Sequence, residues 1–148
     1  VFTGDTFGVE YNAKRQTRHP FLLCSTAPTD FDPAAMRSSI QRILDTGAER
    51  VYLTHYGELR DVVAGAESLG HSLADMEQLL NAATDSDLRE DALQQFCRDG
   101  MRNAFHEQAQ RCGASLSDSE WSSLERGIAI NAQGIAYVAS RRRTNRQD

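Results

Sequence analysis

The stretch FDPAAMRSSIQRILDTGAERVYLT, Phe31 to Thr54, decides how the fold is read. Asp32 followed by Pro33 is a helix start, an Asp N-cap with proline at the first helical position, where its missing N–H costs nothing. Met36, Ile40, Ile43 and Leu44 then recur at helical spacing until Gly47 stops the pattern. Val51-Tyr52-Leu53-Thr54 follows as a β-branched and aromatic strand. A helix feeding a strand is the repeating unit of layered α/β proteins, so the expected fold class is α/β.

Upstream of this unit, Val1 to Thr3 reads as a buried strand, Gly4 to Gly8 as a glycine-bracketed turn, and Phe21 to Cys24 as a second strand after Pro20. The chain opens on apolar residues without a cap, as if it begins inside a domain. Glu10 to His19 is polar, and Tyr11, Asn12 and Arg15 read as plain surface loop.

Downstream, the composition changes near Asp61, which divides the chain into residues 1–60 and a helical region, 61–148. One helix is expected from Asp61 to about Ala83, with Val62, Ala66, Leu69, Leu73, Met76 and Leu80 on a stripe. A second starts near Ser86 and runs to Gly113. A third opens on a capping box, Ser117 with Glu120, and carries Trp121, Leu124, Ile128, Ile135 and Val138. Breaks are expected near Thr84-Asp85 and Gly113-Ala114. Trp121 and Phe105 read as core or interface anchors, and Arg141-Arg142-Arg143 as a solvated helix end that complements the helix dipole.

With 40% apolar and 25% charged residues, the composition is that of a globular protein, and no apolar run approaches the roughly 18 residues of a membrane span. A formal charge of −5 offers phosphates no general attraction, so neither nucleic acid nor membrane is an expected partner. Cys24, Cys97 and Cys112 are odd in number and widely spaced, which fits neither a disulfide framework nor a cysteine zinc site. They read as packing residues in a reducing cytoplasm.

Two residues stand where chemistry is usually placed. Asp5 directly follows one expected strand and His55 directly follows another, each beside a glycine. If the two strands are neighbours, a carboxylate and an imidazole converge, the donor mixture that suits zinc, iron or manganese. Taken singly, each also has a plain structural reading: Asp5 as a turn cap and His55 as a hydrogen-bonding loop residue.

Phe2-Thr3-Gly4-Asp5-Thr6-Phe7-Gly8 and Tyr52-Leu53-Thr54-His55-Tyr56-Gly57, with Ser25-Thr26-Ala27-Pro28 and Phe31-Asp32-Pro33 between them, resemble the metallo-β-lactamase superfamily, nearest its glyoxalase II-like hydrolases. The resemblance covers Val1 to Leu59. It implies the C-terminal half of the αββα fold followed by a helical region. It further implies that Asp5 bridges two metal ions, zinc with iron or manganese as substitutes, and that His55 ligates one of them. The activity implied is attack of metal-bound hydroxide on an ester, thioester or lactone-like small molecule, with Asp5 and His55 as the catalytic ligands.

The family's His-x-His-x-Asp-His motif is absent from this sequence, and His19, His71 and His106 read as loop or helix-surface residues. A missing N-terminal half of the fold is therefore an expected partner, and the fragment alone is expected to be inactive. A homodimer through the C-terminal helices is a further expectation. The alternative is a non-catalytic helical interaction or dimerisation module on a relic of the fold.

Overall fold

The computed structural model describes residues 1–11, 19–26, 31–55 and 57–146. Asn12, Arg15, the Ala27-Pro28 pair and Tyr56, all named above, lie outside these. The chain runs through a 3-10 turn (Gly4–Phe7), β1 (Val9–Glu10), β2 (Leu22–Leu23), α1 (Pro33–Asp45), β3 (Val51–Tyr52), β4 (Glu58–Leu59), α2 (Val62–Asp85), α3 (Glu90–Cys112) and α4 (Asp118–Thr144).

The α/β half-fold expected from the sequence is not formed. Helix accounts for 68% of the chain, and among the described residues each sheet has only two strands. β1 pairs antiparallel with β2 and β3 antiparallel with β4, so the strands flanking α1 belong to different sheets. The physical reason lies in the turns. The chain turns back beyond Tyr52 so that the Leu53 N–H donates to the Gly57 carbonyl at 3.1 Å, and this makes β3 one arm of a hairpin. The expected strand at Val1 to Thr3 contributes a single parallel bridge, Phe2 to Tyr52, before Gly4 (φ +56°) turns the backbone into the 3-10 turn.

The helices follow their local signals. The Asp32 carboxylate accepts from the N–H groups of Ala34 and Ala35 at 2.9 and 3.0 Å and starts α1. The Ser117–Glu120 capping box starts α4, α2 ends at Asp85, and α3 ends before Gly113, whose φ is +70°.

The chain forms two compact units. The first comprises Val1–Ser25, Asp32–Ala74 and His106–Ser115. Phe7, Phe21, Leu22, Leu23, Val51, Leu69 and Leu73 are buried in it. The Gln108 amide, buried there, donates to the Leu22 and Ser68 carbonyls at 3.1 and 2.7 Å, so a polar group in the core is paired.

The second unit comprises Thr26–Phe31, Asp75–Phe105 and Leu116–Asp148, with Met76, Leu80, Met101, Phe105, Ile128 and Ile135 buried. In it Arg143 departs from its solvated reading. Only 8% exposed, it donates to the carbonyls of Thr84 (2.9 Å), Leu88 (2.6 Å) and Ala83 and to the Ser86 hydroxyl, and so caps the end of α2. No helix among the described residues is long and apolar enough to cross a membrane.

Candidate metal centre

The parallel bridge between Phe2 and Tyr52 sets the register of the site. The Tyr52 N–H donates to the Val1 carbonyl at 2.8 Å, and the Thr3 N–H to the Tyr52 carbonyl at 3.1 Å. Beyond that one rung the two segments leave strand geometry, the first entering the 3-10 turn and the second turning back towards β4. Asp5 stands three residues beyond Phe2 and His55 three beyond Tyr52, on the two turns that leave the bridge.

Each is held by a glycine-dependent turn. On the Asp5 side, the Gly8 N–H donates to the Asp5 carbonyl at 3.1 Å. Gly8 has φ +75°, and a Cβ there would lie 2.6 Å from the Leu23 carbonyl oxygen and 2.8 Å from Leu69 Cδ1, so only glycine fits. On the His55 side, Gly57 has φ +101° and its carbonyl closes the loop onto Leu53.

The resulting distance from His55 Nε2 to Asp5 Oδ1 is 3.4 Å, with both side chains about half exposed, at 54% and 56%. Two ligands of one tetrahedral ion, each about 2.0–2.2 Å from it, stand roughly 3.4 Å apart. One carboxylate oxygen and one imidazole nitrogen are thus spaced for two positions of a single zinc, iron or manganese ion. Among the described residues no group of three or more His, Cys, Asp or Glu gathers to complete a shell. The pair fits a metal as half of a tetrahedral set.

Glu10 on β1 is a neighbour that sequence reasoning missed. Its carboxylate Oε2 lies 3.9 Å from where a Cβ on Gly57 would stand, and burial raises its pKa from the ordinary carboxylate value. Its only signal in the sequence was a charged residue following an apolar Val9, too little to single it out. The remaining histidines keep apart from the pair: His71 on α2 and His106 on α3 are exposed, as is His19. The three cysteines are free and buried. Burial pushes the Cys24 thiol up to about 12 and the Cys97 thiol to about 11, so neither supplies a thiolate at neutral pH.

No protein-family model, curated protein or solved structure matches the chain. These comparisons lend no support to the resemblance to metallo-β-lactamase-type hydrolases.

Proposed function

We propose that the chain carries part of the metal site of a hydrolase, with Asp5 and His55 as two ligands of a divalent ion, zinc by preference and iron or manganese as substitutes. The observation that supports this reading most is the 3.4 Å spacing of His55 Nε2 and Asp5 Oδ1. A bound ion of this kind acidifies its water and polarises a carbonyl. The chain's own contribution is to fix one oxygen and one nitrogen donor on two glycine-held turns, open enough to solvent for a small ester, thioester or lactone to approach. The other ligands come from outside the described residues, from a partner segment or a second subunit.

The test is a zinc titration of the purified chain, and of any longer natural form, followed by calorimetry and elemental analysis beside Asp5→Ala and His55→Ala. The reading expects zinc binding in the parent that either substitution weakens at least about tenfold. Equal zinc affinity in all three proteins removes both residues from the ligand set.

A second reading, a helical interaction or dimerisation module, is favoured by α4. Ile130 and Tyr137 are 43% and 46% exposed and stand seven residues apart, on one face of that helix. The three buried cysteines carry no disulfide, which supports a reading in which either form works in a reducing compartment such as the cytoplasm.

A further inference from the structure

Beside the Asp5–His55 pair lies a second feature that the metal reading does not use. A cleft of about 330 Å³ opens between α1 and the 3-10 turn, lined by Phe2, Thr6, Ser39, Arg42 and Ile43 among others. Thr6 is the residue after Asp5, so the cleft adjoins the candidate ligand.

Its chemistry is one-sided. Among the described residues nothing engages the Thr6 hydroxyl, the Ser39 hydroxyl or the Arg42 guanidinium, and no acidic side chain lines the cleft. Three uncommitted donors, one of them permanently charged, therefore face the same space. The opposite character comes from Ile43 and from Phe2, a residue 86% exposed whose ring stacks on Tyr52 with centroids 5.1 Å apart. An exposed aromatic face beside an arginine and two hydroxyls is complementary to a small amphipathic oxyanion. The plain reading of Arg42 is a cation in the last turn of α1 that complements the helix dipole. That role accounts for neither the free hydroxyls nor the exposed ring.

We propose that the cleft framed by Phe2, Thr6, Ser39 and Arg42 binds the carboxylate or phosphate group of a small ligand with an apolar body. Resting on the hydrolase reading, the same ligand is the substrate, its anion held in the cleft and its ester, thioester or lactone bond presented to Asp5 and His55. Arg42 then selects charged over neutral substrates. It is a specificity residue and takes no part in the bond-breaking step.

The experiment is an NMR titration of the purified chain in the presence of a chelator, so that no metal contributes. Three probes are compared: phenylacetate, phenyl phosphate and neutral phenylacetamide. The proposal expects at least one anion to shift the backbone amides of Thr6, Ser39 and Arg42 and to bind about tenfold tighter than the amide. The tighter of the two anions identifies the group recognised. Arg42→Gln should lower that affinity about tenfold, to the level of the amide, with an unchanged circular dichroism spectrum. Anions that bind no tighter than phenylacetamide, or an Arg42→Gln chain that keeps the anion preference, overturn it. Because the measurement excludes metal, a failed zinc titration leaves this result standing, and a failure here leaves the zinc titration to be judged alone.

Discussion

Phe2 and Tyr52 are joined by one parallel bridge, and each stands three residues ahead of one member of the Asp5–His55 pair. The candidate metal centre is therefore built on the two turns that leave this bridge. Two short segments, level at one rung, deliver an oxygen and a nitrogen to the same place at 3.4 Å. Neither residue needs burial to be positioned, since each loop is closed by its own backbone hydrogen bond.

Removing either donor should separate chemistry from stability. On the proposed hydrolase reading, Asp5→Ala and His55→Ala are expected to cut metal-dependent hydrolysis by about a hundredfold or more. Both side chains are about half exposed, so the unfolding midpoint should barely move. Assays over a panel of esters, thioesters and lactones with parallel metal counting would check this. A variant with parental turnover and parental metal content would exclude its residue from the site.

Gly8 and Gly4 offer a matched pair of substitutions. Both have positive φ, +75° and +56°, yet an added Cβ at Gly8 meets the Leu23 carbonyl and Leu69, whereas at Gly4 it meets nothing within 4 Å. Gly4→Ala should cost only the backbone strain, about 1–2 kcal/mol. Gly8→Ala should cost clearly more, by about another 1–3 kcal/mol of overpacking. Urea unfolding of the two variants measures the difference, and equal costs would mean that the contact at Gly8 relaxes freely.

Arg143 should be among the most sensitive positions outside the apolar core. Arg143→Met leaves the carbonyls of Ala83, Thr84 and Leu88 without this donor, and a loss of about 3–5 kcal/mol is expected from stranded buried groups. Arg143→Lys should rescue little, because an ammonium cannot reproduce the fork that reaches several acceptors at once. Chemical denaturation checks both. Full rescue by lysine would show that charge, rather than the fork, is what matters.

Acid should remove one surface ion network. The Arg102 and Arg98 guanidinium groups hydrogen bond the Glu125 carboxylate and hold its pKa down at about 2. A carboxylate whose folded pKa lies below its unfolded value stabilises above the unfolded value, about 4.5, and loses that contribution as pH falls through the folded one. Between pH about 4.5 and 2 the unfolding midpoint should therefore fall more steeply in the parent than in Glu125→Gln. The difference should shrink at high salt, because the three side chains are 35–43% exposed. Identical slopes would mean that the network contributes nothing to stability.

The parts of the fold that were legible in the sequence carry their signals locally. Asp32-Pro33, the Ser117–Glu120 capping box and Gly113 each fix a helix end from within a few residues, and the structure has helix ends at all three. The sheet was misread because a strand's partner is not a local property. Val51-Tyr52 looks the same whether it lies in a wide parallel sheet or in a two-residue hairpin arm, and its pairing with Glu58–Leu59 depends on a backbone turn that no side chain announces. Arg143 was misread for a related reason, since its acceptors are main-chain groups some 55 to 60 residues earlier. The candidate pair was more legible than the sheet meant to support it, because residues following short apolar runs beside glycines can be found by inspection. Glu10, which meets the His55 loop through space, could not be.

The acceptors of Arg143 also bear on the time order of folding. The final turn of α2 has carbonyls that are met by a residue made more than 50 positions later, close to the end of α4. A chain growing from its N-terminus must carry α2 with that end incompletely capped throughout the synthesis of α3 and most of α4. The clasp between them is then among the last long-range contacts of this unit that can form during synthesis.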